Sequence, residues 1–558
     1  MDTAIRSEHC GLDRAPAQSR PHAPPEHHIP ATEWLWLTVA VLLGLAIRIP
    51  FFRIPMVADE GGYAYATRGW LEGTGTLYDD LWISRPQGIF FVYAGIFDLL
   101  GSGTIALRFA AWIATALTTA AIWALARLLI NPRSGVAAAF VFVILSASPA
   151  LEGYTANAEI FMGAPAALVA LWLYRLARTG WHGGQLVAIG VLIGITSSLK
   201  PSGAVMFPVA IAYIWMLGIR MPGGGCDKRV LIRRMLQVAG GVAIVGMLSL
   251  LHGWYLGWSN FIYATVTYRL TAQSAATVGF EHHIAAIGRL IGRSWNVISL
   301  VLVVPALLHR DRLRGALDKG SARSRSQRRL TRDRFATLSL TPARMSAQSR
   351  PDDDHSLLLR LWLAGSVLGI SIGGDWWSHY LIQLTAPLAI WLAAAIARLW
   401  LTLSTAGRRR VAPLLIGLLI GPYWVLVLGT PEDMAQNLFD HPGIPAQEAV
   451  AAHLQESSEP DATIYVAFDQ ASIYYIADRL PAYRHLYDQE LRGIPSSYSD
   501  LIMIIQSPDR PEFIVGTRQP GPFADNSRAF WDEVGKYYKL DVTIEGVPIY
   551  RDKSLRPP

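Results

Sequence analysis

The sequence predicts an α-helical polytopic membrane protein of about eleven transmembrane helices, followed by a small C-terminal α/β domain outside the membrane. Three observations carry this. Hydrophobic residues make up 52% of the 558-residue chain and charged residues 16%, well below the roughly 25% of soluble domains. The apolar residues fall in blocks of about 17–25, the length that crosses a hydrocarbon core as a helix. Beyond about residue 440 the blocks give way to short alternating strand and helix patterns.

In chain order, residues 1–33 are polar and rich in Pro and His, with no signal-peptide pattern, and read as a disordered cytoplasmic tail. The first span is 34–52. A first outer loop, 53–103, follows. Inside it Gly88–Leu100 is apolar but too short to span, so it is expected to be interfacial or re-entrant. Further spans are expected near 104–127, 134–150, 157–175, 185–200, 202–219, 235–257, 295–309, 357–374, 380–401 and 411–429.

Charge bias supports that count. With the N-terminus inside, Arg127/Arg133, Arg175/Arg178, Arg220 with 228–234, the 310–350 cluster and 408–410 all face the cytoplasm, as the positive-inside rule requires. Counting Gly88–Leu100 as a span would put the 310–350 cluster outside. Residues 310–356, rich in Arg and Ser, read as a basic cytoplasmic loop able to touch anionic lipid heads. The net charge of +7 sits in such loops and gives no reason to expect nucleic acid. Two cysteines, Cys10 and Cys226, make no disulfide framework. Residues 34–430 form the expected membrane domain. Residues 440–558 form the outer one, with strands near 463–468, 512–516 and 547–551 and helices near 446–456 and 527–538.

The outer side gathers the chemistry. Asp59 and Glu60 lie just beyond the first span, ahead of Tyr63, and Asp80 and Arg85 follow in the same loop. Lys200 ends an apolar block where cations are scarce. A cation at a bilayer boundary is often a snorkelling anchor. Two of them facing a carboxylate pair also suit the phosphate of a membrane lipid. Glu159 opens the fourth span, where a helix dipole favours an acid. His379 and Tyr380 begin a span, where an aromatic belt is ordinary. Tyr263, Tyr268 and Arg269 are weaker pocket candidates. Glu281-His282-His283 has no third partner at metal-site spacing, so no metal ligands are assigned.

The stretches DEGGYAYATRGWLEG, LYDDLWISRPQGIFFVYAGIFDLLG, ALRFAAWIATALTTAAIWALARLL, ANAEIFMGAPAALVALWLYRLAR, GVLIGITSSLKPSG and GGDWWSHYLIQLTAPLA occur in that order. Together they resemble the GT-C glycosyltransferases, in the branch of protein O-mannosyltransferases and aminoarabinose transferases. The resemblance covers approximately 34–430, and the C-terminal domain also looks like the outer domain of bacterial members. It implies a multipass enzyme of the cell membrane that takes a hexose or pentose from a polyprenyl-phosphate donor and passes it to an envelope lipid, polysaccharide or protein. The acid of the first outer loop, here Asp59 with Glu60 beside it, would be the catalytic base. Arg85 stands where relatives often carry Lys before Pro-Pro, but here Pro86 is followed by Gln87. Lys200 matches the family's cation of the middle outer loop. Asp80, Glu159, Tyr63, His379 and Tyr380 are candidate substrate contacts. No cofactor beyond the lipid donor is firmly implied, and a divalent metal is compatible but not required.

The residues suit that chemistry. A glycosidase needs a second carboxyl to protonate a poor leaving alcohol. A lipid phosphate leaves as a stable anion, so one base and stabilising cations suffice, and a single displacement inverts the anomeric centre. A transporter or lipid flippase is the alternative, but the candidate charges sit at span ends rather than at mid-depth. A non-catalytic scaffold would leave Asp59 dispensable.

Overall fold

A computed structural model of the chain describes residues 29–220, 226–275, 280–309, 352–372, 376–439, 442–468, 470–517 and 527–555. The expected tail at 1–28 and most of the 310–356 loop lie outside these residues.

Among the described residues, seven apolar helical segments are long enough to cross a membrane: Ala31–Arg53, Thr104–Leu129, Ala158–Thr179, Pro201–Ile219, Lys228–Thr271, Ser378–Thr402 and Thr405–Leu426. The pair Ile284–Arg293 and Trp295–His309, bent by 79°, makes an eighth if it is one span. Shorter apolar helices at Pro132–Ser146, Gly183–Leu199 and Ser356–Ile372 fall on the remaining expected spans. Gly88–Leu100 is a short helix of 13 residues.

Helix α1 (Ala31–Ala46) leads by a 3₁₀ turn to α2 (Ala58–Glu72). The Glu60 carboxylate accepts from the Val57 N–H at 3.2 Å, which closes the start of α2. Gly73, at φ 71°, ends it in the left-handed conformation that glycine adopts without strain. Then come α3 (Gly88–Leu100), α4 (Thr104–Leu129), α5 (Pro132–Ser146), α6 (Ala158–Thr179) and α7 (Gly183–Leu199). Small residues let α7 pack closely on Lys228–Ile262. A Cβ on Gly190 would lie 2.0 Å from the Val238 carbonyl oxygen.

The C-terminal part holds one five-stranded sheet: β1 (Thr463–Val466), β2 (Leu480–Pro481), β3 (Phe513–Val515), β4 (Tyr538–Ile544) and β5 (Val547–Asp552). Its order is β2-β1-β3-β5-β4. β1 pairs in parallel with β2 and β3, whereas β5 runs antiparallel to β3 and β4. Strand periodicity divides the side chains. Tyr465 and Ile514 join one core with Phe468 and Phe530. Ile464, Val466, Phe513 and Val515 join the core shared with the membrane helices. The strands expected at 463–468 and 512–516 are present in shorter form, and that at 547–551 runs one residue longer. β2 and β4 were not anticipated: β2 has two residues, and β4 follows a helix directly and is largely exposed.

Candidate active site

Helix α2 separates its first two acids. Successive helical residues point about 100° apart, so Asp59 and Glu60 face different surroundings. Glu60 is fully buried against Arg108 of α4. Its Oε1 accepts from Arg108 Nε at 3.2 Å and Ala156 N at 2.6 Å. Its Oε2 accepts from Arg108 Nη2 at 2.8 Å and Val57 N at 3.2 Å. Arg108 also donates to the carbonyls of Phe51, Ile54 and Pro55. These bonds tie the entry of α2 to α4 and to the turn before α6. Glu60, expected beside Asp59 as a catalytic acid, is thus fully buried with both carboxylate oxygens taken by hydrogen bonds.

Asp59 keeps 22% of its side chain exposed. Arg85 Nη2 lies 3.7 Å from Asp59 Oδ2, an ion pair longer than a hydrogen bond. Arg85 Nε donates to the Tyr63 hydroxyl at 2.8 Å, one turn along α2 from Asp59. His379 Nε2 lies 3.9 Å from Asp59 Oδ2 and equally far from Glu159 Oε1. Lys200, the residue ending α7, bonds Glu159 of α6, and its Nζ sits 3.9 Å from the centre of the Tyr380 ring. Five separate parts of the chain thus bring Asp59, Tyr63, Arg85, Glu159, Lys200, His379 and Tyr380 to one place. Burial works to raise the Asp59 carboxyl, but Arg85, His379, Lys200 and a hydrogen bond from Tyr63 hold it below its ordinary value. Burial likewise works against the Arg85 charge, and Tyr63, Asp59 and Tyr380 outweigh it.

Two expected contacts change. Asp80 is exposed and accepts from the Thr76 N–H at 3.0 Å, so it closes its own turn rather than lining the site. Arg269 is 2.8 Å from both the hydroxyl and the carbonyl of Ser84, the residue before Arg85, and so braces that segment. Glu152 was missed. It sits beyond a 3₁₀ turn at φ 54°, and its carboxylate lies 3.4 Å from His379 Nδ1 and accepts from the Ser378 hydroxyl at 3.4 Å. Burial works to raise the Glu152 carboxyl, and His379 overcomes this and lowers it. No sequence spacing links residues 152 and 379.

A largely apolar cavity between the membrane helices ends at Glu159, beside Lys200. Thr118, Met162, Thr196, Trp362 and Ile382 are among its walls. Among the described residues, no group of three or more His, Cys, Asp or Glu side chains is placed to hold a metal ion.

The architecture matches known structures over nearly its whole length. ArnT from Cupriavidus metallidurans, bound to undecaprenyl phosphate, superposes with a TM-score of 0.59 at 13% identity, covering 95% of this chain and 100% of that one. The chain has the GT-C glycosyltransferase fold. Archaeoglobus fulgidus oligosaccharyltransferase, tethered to an acceptor peptide containing the NVT sequon, shares the GT-C fold at a TM-score of 0.51 and 12% identity, covering 91% of this chain and 72% of that one. A family model described as dolichyl-phosphate-mannose-protein mannosyltransferase matches residues 84–245. That segment of the GT-C membrane domain carries Arg85, Glu152, Glu159 and Lys200. The undecaprenyl phosphate-alpha-4-amino-4-deoxy-L-arabinose arabinosyl transferase of Edwardsiella ictaluri (strain 93-146) is 27% identical over 194 residues. That match spans 33% of this chain and 35% of the relative.

Proposed function

We propose that the chain is an inverting glycosyltransferase, moving a sugar from a polyprenyl-phosphate donor to a cell-envelope acceptor on the outer face of the membrane. The observation that carries this is Asp59, a partly exposed carboxylate held among Arg85, His379 and Lys200, with Glu159, the partner of Lys200, in the wall of an apolar cavity. Asp59 accepts the proton of the attacking hydroxyl. Arg85 and Lys200 take the donor phosphate, and their charge stabilises the leaving anion as the glycosidic bond breaks. Glu159 and His379 set where Lys200 and Asp59 point, while Tyr63 holds Arg85. The prenyl chain follows the cavity away from Glu159. The match of the 84–245 segment to a lipid-phosphate-dependent family and the likeness to the undecaprenyl-phosphate-bound fold support this reading.

The test is mass spectrometry of envelope glycans. A strain lacking the protein loses one modification, the wild-type gene restores it, and Asp59→Asn does not, with a fall in transfer of ~10²–10⁴-fold. Full restoration by Asp59→Asn at normal expression would overturn the assignment.

A further inference from the structure

The pair Gly61-Gly62 is the place where the C-terminal part meets the site. A Cβ on Gly61 would lie 2.2 Å from the Ser472 Cα, which belongs to backbone that cannot swing aside. A Cβ on Gly62 would lie 1.7 Å from the Tyr487 hydroxyl oxygen and 2.8 Å from its Cζ. Two consecutive side-chain-free positions on α2 therefore form a socket that two parts of the outer domain fill. The Tyr487 hydroxyl donates to the Ala58 carbonyl at 3.3 Å, one residue before Asp59. Nearby, Gln447 Nε2 donates to the Met56 carbonyl at 2.9 Å. Flanking contacts fix the same strap: Arg484 lies 3.6 Å from Asp79, and the His485 ring sits 4.6 Å from that of Trp82, edge to face. Burial, with Asp59 and Tyr63 adding to it, keeps the Tyr487 phenol well above its ordinary pKa, so it remains a neutral donor.

We propose that Tyr487 is a positioning residue for transfer: seated on Gly62 and bonded to the Ala58 carbonyl, it fixes the first turn of α2 and with it the direction of the Asp59 carboxylate. The idea rests on the function proposed above. It assigns the C-terminal domain a part in the chemical step, acting through α2 rather than on substrate. Lys200 is held off α2 by Glu159 and Tyr380, and Arg85 bonds Tyr63, beyond the first turn that Tyr487 braces, so donor capture does not run through that turn.

The experiment compares Tyr487→Phe with wild type in the full-length protein. Three quantities are read: envelope glycan formed per unit of protein, affinity of the detergent-solubilised chain for undecaprenyl phosphate, and melting temperature. The expected result is a loss of transfer of about 10–100-fold, the scale of a small misplacement near a reacting group, with affinity and melting unchanged. A cycle adds a second check. Gly62→Ala in the wild-type background should also lose transfer, while Gly62→Ala combined with Tyr487→Ala should be no worse than Tyr487→Ala alone. Transfer retained in Tyr487→Phe but lost in Asp59→Asn overturns the positioning role and leaves the function standing. Transfer, affinity and melting falling together reduce Tyr487 to a structural contact. Transfer retained in Asp59→Asn overturns both readings.

Discussion

Asp59 and Glu60 are neighbours in the chain and opposites in the molecule. On one side of α2, Glu60 and Arg108 share two hydrogen bonds, of 2.8 and 3.2 Å, and backbone groups fill the positions that remain. On the other, Asp59 faces Arg85 and His379 across gaps of 3.7 and 3.9 Å. Both regions bury opposite charges, so charge does not tell them apart. Spacing does. A closed pair has exchanged its solvation for fixed partners and has no valence left for a ligand. The Asp59 cluster holds its charges in looser contact, beyond hydrogen-bond length, and leaves the Asp59 carboxylate partly exposed.

The largest expected effect breaks the closed side. Arg108→Met leaves Glu60 buried without its partner and should cost about 3–5 kcal/mol of stability, read as a lower melting temperature in detergent. Glu60→Gln combined with Arg108→Met should be milder than Arg108→Met alone, since no unpaired charge stays buried. A stable Glu60→Gln protein that has lost transfer would erase the distinction between the two acids.

Changes on the open side should alter pH dependence and ligand affinity instead. Arg85 is the strongest influence lowering Asp59, so Arg85→Ala should raise the Asp59 pKa. The base is the ionised form, so the acid limb of the transfer profile should move to higher pH. Arg85→Ala and Lys200→Ala should both weaken undecaprenyl phosphate binding, measured on the solubilised protein. Stability follows the same sign: Asp59 and Glu152 are both depressed in the folded state. Their contribution is complete above the unfolded carboxylate values near about 4 and is lost as pH falls through the folded ones. An acid limb that does not move in Arg85→Ala would mean that Arg85 and Asp59 are not coupled.

The smallest effect sharpens the edge of the site. Asp80→Ala removes one turn contact at an exposed position. Stability should change by no more than about 0.5 kcal/mol and transfer should be unaltered.

The membrane architecture was legible because apolar runs of spanning length are a direct record of the solvent around them. Lys200 stood out as a cation at a span end and Arg85 as a cation in the first outer loop, on the face expected to be poor in them. Asp59 and Glu60 could not be separated, since a sequence gives two adjacent carboxylates and not the face each occupies. One signal was available: Arg108 lies within an otherwise apolar span, and such a charge needs a partner. Glu152 carries no local mark, because its meaning comes from a turn that brings it to a histidine more than two hundred residues away. Gly61 and Gly62 carry no mark of a long-range contact in the sequence, and the packed C-terminal domain explains them.

That glycine socket also orders events in time. Ser472 and Tyr487 follow the last membrane-spanning helix, so the ribosome makes them after every other part of the site. Without them, the two glycines of α2 would leave a groove just beyond Asp59. If Asp59 is the base proposed above, its turn gains the contacts of Ser472 and Tyr487 only after the segment beyond the spans has been made.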